Sequence, residues 1–179
     1  MKTKKSLLPA ALSFVLIIAG LCGCTEKTAE KKETSASAIA ENYPYTIEHP
    51  DNWEVGSTAN TLIALNSLKA WEEGNMDESL KYFGDSVRVQ FDGMDKKMSN
   101  DSLKVMLTQG WNNYKTIKEK MTDWESVISK DKSEEWVTLW YTQIWETKKG
   151  VKDSVDYVND LQIKDGKIIR LSEYTRKLH

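Results

Sequence analysis

A chain of 179 residues with 25 Lys and Arg against 27 Asp and Glu carries a formal net charge of −2, so it has no basic surplus with which to grip nucleic-acid phosphates. Its 2 histidines and 2 cysteines form no His/Cys cluster that could bind zinc. The length suits one folded domain rather than two.

Lys2, Lys4 and Lys5 precede an apolar run of 13 residues, Leu7 to Ala19, which is the charged start and short hydrophobic stretch of a secretory signal. Taken whole, Leu7 to Cys24 is a nearly continuous apolar run of 18 residues, and an uncleaved anchor helix is the competing reading. Leu21-Cys22-Gly23-Cys24 resembles the lipobox of bacterial lipoproteins, in which cleavage before the second cysteine leaves that residue to carry lipid. The resemblance implies a signal over residues 1–23 and lipidation of Cys24 as the first mature residue. The protein would then be exported and lipid-anchored to the cell envelope, on its periplasmic side or at the cell surface. With Cys22 removed and Cys24 acylated, no thiol is left to pair, and the core alone must hold the fold. Without the three signal lysines the balance is 22 basic against 27 acidic residues, about −5, so membrane contact rests on lipid rather than on a polybasic surface.

Residues 24–56 open with TEKTAEKKETSASAIAENYPYTIE from Thr25 to Glu48, poor in core formers, and are expected to be a flexible tether. A coil of that kind holds a domain roughly 25 Å from its anchor. The folded domain is expected over 57–179. Ser57 or Thr58 can cap a helix that carries Leu62, Leu65, Leu68 and Trp71 on one stripe and stops at Gly74. Asn75 with Glu78 marks a second capped start, for a short helix with Leu80, Tyr82 and Phe83 before Gly84. Val87, Val89 and Phe91 then alternate with Arg88 and Gln90 as a half-buried strand that turns at Asp92-Gly93, with a short polar hairpin through Lys96 and Lys97. From Asn100 or Asp101 a third helix presents Leu103, Met106, Leu107, Trp111 and Tyr114. Gly110 within it costs about 1 kcal/mol of helix propensity, which points to a close approach by backbone or ligand. Strands follow near 117–128, 136–147, 154–163 and 167–176, the last two joined by the hairpin signal Asp165-Gly166. Three helices before a long, hairpin-connected antiparallel sheet make an α+β domain.

WEEGNMDESLKYFGDSVRV, from Trp71 to Val89, resembles the helix, Gly-Asn break, helix and first strand of the nuclear transport factor 2-like superfamily, which includes the SnoaL-like proteins. LQIKDGKIIRL resembles the closing hairpin of the same group. The resemblance covers about Ser57 to His179. It implies a cone, a curved antiparallel sheet wrapped around three N-terminal helices, with a pocket inside (the cystatin-like arrangement).

Along WVTLWYTQIW one face carries Trp136, Thr138, Trp140, Thr142 and Ile144, and the other Val137, Leu139, Tyr141, Gln143 and Trp145. One face must line the cone; the other, with two indoles, is left wet in a monomer. Since members of the superfamily often pair through this outer side, the resemblance implies a homodimer. A segment around Tyr43, Tyr45 and Trp53 folding back over those rings is the alternative.

Enzymes of the superfamily use carboxylates, tyrosines or histidines projecting into the cone. His49 precedes the domain and His179 ends the chain, so a histidine-based dehydratase mechanism is not expected. The ketosteroid isomerase branch places a tyrosine where Ser67 stands and an aspartate where Phe91 stands, with Asp92 one residue later. A one-residue shift reverses a strand side chain, so Asp92 is a weak catalytic candidate beside its ordinary role in a turn. Asp123, Asp156 and Asp160 lie on predicted strands and can face in, or pair with Arg88 or Arg170. Trp111, Tyr141, Trp145 and Tyr157 are the candidate ligand contacts, against the alternative that they are simply core. Lys118-Glu119-Lys120 and Ser129 to Glu135 look like solvated edges and turns. Two functions follow as expectations. One is a membrane-anchored binding module for a small apolar molecule or a protein, with no cofactor. The other is a SnoaL-like, cofactor-independent enzyme performing proton transfer, cyclisation or hydration with a pocket aspartate.

Overall fold

The computed structural model describes residues 44–49 and 52–178. The predicted signal, Cys24, Tyr43 and the greater part of the 24–56 tether lie outside the described residues. The chain divides into two units, Met1–Pro44 and Tyr45–His179, and all the described helices and strands belong to the second. In chain order they are β1 (Trp53–Val55), α1 (Thr58–Glu72), α2 (Met76–Leu80), β2 (Phe83–Phe91), β3 (Met94–Ser99), α3 (Asn100–Trp111), β4 (Tyr114–Ser129), β5 (Glu135–Thr147), β6 (Lys152–Lys164) and β7 (Lys167–Lys177).

Each helix begins where a short polar side chain can satisfy a free amide. Ser57 Oγ accepts from Asn60 N at 3.1 Å, and Asn75 Oδ1 from Glu78 N at 3.1 Å. For α3 the cap is Ser99, whose Oγ accepts from Ser102 N at 3.2 Å. The expected cap Asn100 instead donates from Nδ2 to the carbonyl oxygen of Leu80 at 3.0 Å, tying α3 to the end of α2. Tyr82 and Tyr114, placed on helices by their spacing, lie beyond them: α2 ends at Leu80, and Tyr114 opens β4.

The seven strands form one sheet in the order β1-β4-β5-β6-β7-β2-β3. Hairpins make β4 through β7 antiparallel. At the last hairpin Asp165 and Gly166 both have positive φ, 52° and 71°, as a tight primed turn requires. β2 and β7 instead run parallel. A strand pair separated in the chain by β3, α3, β4, β5 and β6 is free of the hairpin constraint that made antiparallel pairing the expectation. β1 pairs with the end of β4, Val55 opposite Val127, so the sheet begins inside the stretch expected to be tether. Register shifts at Met121/Asp123 in β4 and at Ile169 in β7, opposite Gln162/Ile163, bend the strands, as bulges do.

Two helices meet the sheet, α1 against β4, β5 and β7 and α3 against β2 and β3, while α2 packs on α1 and α3. Val87, Val89, Leu103, Val137 and Ile168 are fully buried between the layers. On α1 the expected leucine stripe is rotated: Leu62 is half exposed, while Ala64, Ser67 and Ala70 are buried. Small side chains on the inward face of α1 cannot fill the bend of the sheet.

Candidate functional site

The space they leave is a cavity of roughly 200 Å³. Ala64, Ser67, Leu68 and Trp71 of α1 form one wall, with Leu107 and Gly110 of α3; Leu139, Tyr141 and Gln143 of β5, Tyr157, Asn159 and Leu161 of β6, and Leu171 and Glu173 of β7 form the other. Strand alternation explains the second set. Val137, Leu139, Tyr141 and Gln143 are buried on the concave side, which leaves Trp136, Trp140 and Ile144 on the outer side.

Several polar groups in this wall are held by each other. Trp71 Nε1 donates to Gln143 Oε1 at 3.2 Å, and Asn159 Nδ2 to the Tyr141 hydroxyl at 2.9 Å. The rings of Tyr141 and Tyr157 stack at 5.3 Å with planes 7° apart. Ser67, at the position where the isomerase branch has its tyrosine, lines the cavity but is engaged with Ser79, whose Oγ donates to the Ser67 carbonyl at 2.9 Å. Other atoms have no partner among the described residues: Asn159 Oδ1, both carboxylate oxygens of Glu119 and Trp111 Nε1 are buried without a hydrogen bond.

The two acids are perturbed. Burial, then the charges of Glu72 and Glu173, push the Glu119 carboxyl up to about 8, and burial pushes Glu173 up to about 7. The Tyr141 hydroxyl is raised first by burial, then by the negative charge of Glu173 and Glu119.

Of the four aromatic candidates, Tyr141 and Tyr157 line the cavity, while Trp111 and Trp145 are not among its lining residues. Trp111 lies against Gly74, where a Cβ would come 2.8 Å from its ring. Trp145 meets the edge of Tyr114 at 6.0 Å and so backs a lining residue. Asp92 is exposed in the β2–β3 turn, outside the cavity; the cavity-lining residue there is Phe91. The three strand aspartates face outward too. Asp156 accepts from Thr142 Oγ1 at 2.8 Å and pairs with Arg176, Asp160 accepts from Thr138 Oγ1 at 2.6 Å, and Asp123 caps the adjacent Trp124 amide at 2.8 Å in the β4 bulge. Arg88 is paired with Asp95 of β3 at 2.7 Å and Arg170 with Gln90 at 2.8 Å, rather than with Asp123, Asp156 or Asp160. No backbone approaches Gly110, where a Cβ would meet nothing within 4 Å; the residue lines the cavity instead.

Two buried acids, Glu173 in the cavity wall and Glu119 outside its lining but opposite Gln143, come from stretches not singled out by the sequence. Glu119 sits in the Lys-Glu-Lys run expected to be a solvated edge, and Glu173 follows the closing hairpin. Alternation would have located both. Glu119 shares a face with Ile117 and Met121, and Glu173 with Leu171, opposite Asn159.

A sheet bent over three helices around a hollow defines the class of the domain as an α+β cone. No family model matches the sequence, and no curated protein is similar to it. Solved structures do match. An uncharacterised cystatin-fold protein from Novosphingobium aromaticivorans superposes with a TM-score of 0.56 at 13% identity, covering 66% of this chain and 99% of that one. A nuclear transport factor 2-like protein of unknown function from Burkholderia pseudomallei gives 0.55 at 12% identity, over 67% and 92%. A candidate polyketide cyclase from Pseudomonas putida gives 0.50 at 18% identity, over 69% and 94%. The domain therefore has the nuclear transport factor 2-like fold.

Proposed function

We propose that the protein is an exported lipoprotein, moored by lipid on Cys24, whose cone binds a small, largely apolar molecule. The observation that carries the binding role is the hollow itself, about 200 Å³, apolar over most of its wall and with Asn159 Oδ1 lacking a hydrogen-bond partner. A buried acceptor without a partner costs about 1–3 kcal/mol, and a ligand that supplies the missing donor offsets that cost. Native mass spectrometry of protein purified from its own host tests this directly. The expected spectrum shows a chain that begins at an acylated Cys24 and retains a small-molecule mass; an intact Met1 refutes cleavage, and a bare polypeptide mass speaks against the binding role.

A second reading is acid–base catalysis of the SnoaL-like kind. It is favoured by Glu173, a cavity-lining carboxyl raised to about 7, where it can both take and give a proton. The reactive acid in this reading is a glutamate of β7 rather than an aspartate of β2. Glu173→Gln discriminates: turnover of a bound substrate is lost if this carboxyl moves the proton, and persists if it does not.

We also infer a homodimer through the outer sheet face, where Trp140, Val158 and Tyr174 line a shallow groove. Trp136 on the same face is partly covered within the chain, by the edge of the His49 ring at 5.8 Å and by the Arg170 guanidinium at 5.5 Å.

A further inference from the structure

If the cone is a binding site, as proposed above, the atoms left unpaired in it narrow the chemistry of its ligand. Asn159 is only 6% exposed and lines the cavity; its Nδ2 is used on Tyr141, and its Oδ1 has no partner. Glu173 lines the same cavity, and among the described residues no hydrogen bond or ion pair reaches its carboxylate. Glu119 lies across the β4–β5 pair from the cavity-lining Gln143, and both its oxygens are buried and unpaired. All three groups present acceptors.

Among the described residues, their surroundings add negative charge and no cation. Glu72, at the end of α1, raises Glu119 through its own charge. Its partners Lys69, at 3.2 Å, and Lys118, at 3.8 Å, are themselves solvent-exposed and make no ion pair with Glu119 or Glu173. The other titratable groups facing the acids are the hydroxyls of Tyr114, Tyr141 and Tyr157, all raised. Water or an alcohol can donate to such acceptors but brings no charge to match the carboxylates. An ammonium does both, since it carries three donors, no acceptor and a positive charge.

We propose that the cone is a site for a small primary amine with an apolar or aromatic body, its ammonium held among Glu173, Glu119 and Asn159 and its body against Tyr157 and Leu139. Aromatic walls favour such a guest further, because a cation is attracted to the face of a ring. Binding an ammonium draws the carboxyls toward their charged form. Affinity for the amine therefore rises with pH through the range in which Glu173 and Glu119 ionise, and the complex forms with release of protons.

The test is calorimetric titration of full-length, detergent-solubilised protein with 2-phenylethylamine and with its neutral isostere 2-phenylethanol, at about pH 6 and about pH 8. The amine is expected to bind about tenfold or more tightly than the alcohol at the higher pH, the worth of a charge-assisted hydrogen bond, and to lose most of that advantage at the lower. Glu173→Gln is expected to erase the preference for the amine over the alcohol, and Glu119→Gln to reduce it. Equal affinities, or a preference for the alcohol at both pH values, overturn the amine assignment and leave the binding role standing. If neither probe binds, both fall.

Discussion

Glu119 and Glu173 illustrate how much one strand position decides. An acid whose pKa is higher folded than unfolded stabilises the fold only while protonated, so its contribution is complete below about 4.5 and is lost as pH rises through the folded value. For Glu173, raised from 4.5 to about 7, the loss is roughly 3 kcal/mol, and for Glu119, raised to about 8, it extends to higher pH. Thermal unfolding is therefore expected to show stability falling from about pH 5 to about pH 8, and Glu173→Gln to flatten that slope and raise the melting temperature at the alkaline end. An unchanged slope would mean that the carboxyl is solvated. These residues were legible in part: their alternation with Ile117, Met121 and Leu171 is written in the chain, but a glutamate between two lysines also fits an edge strand, and only pairing with β5 distinguishes the two. Gly110, by contrast, promised a close approach and has open space beside it. Gly110→Ala is expected to raise stability by about 0.5–1 kcal/mol, less near a helix end than at its centre, and to weaken ligand binding if a ligand fills that space.

Among the elements, the helical caps, breaks and turn residues were readable because they depend on neighbours in sequence. Gly74 is the clearest case. Its φ of +74° ends α1, and a Cβ there would lie 2.8 Å from the Trp111 ring, so the residue joins α1, α2 and the end of α3. Gly74→Ala is expected to cost about 2 kcal/mol or more in denaturant unfolding, from backbone strain together with displacement of the indole; a cost below about 0.5 kcal/mol would show that Trp111 yields freely. What local sequence does not carry is which helical stripe faces the sheet. Leucine spacing put Leu62 inward on α1, whereas Leu62 is half exposed and Ala64 and Ser67 face in, leaving the hollow between α1 and the sheet. The same long-range pairing recruits Trp53–Val55 as an edge strand, a three-residue segment too short to announce itself by alternation.

At the scale of the whole molecule, order of elements and two short stretches were enough to anticipate the fold, since helices followed by hairpin-linked long strands admit few packings. The hollow and its chemistry were less accessible, being the difference between the volume the sheet encloses and the volume the helices fill. On the outside, Trp140, Tyr174 and the partly covered Trp136 make a surface suited to self-association. Light scattering on non-lipidated protein is expected to report a dimer, and Trp140→Glu to return it to monomer without unfolding; a wild-type monomer at high concentration would defeat that reading. The central claim is that the cone is hollow and can be entered. Xenon enters apolar cavities of this size, so diffraction from crystals pressurised with the gas measures it directly. The account predicts an anomalous peak between Ala64 and Leu68 of α1 and Leu139 and Tyr157 of the sheet; a diffraction map with no xenon there, and the space closed by side chains, would contradict it.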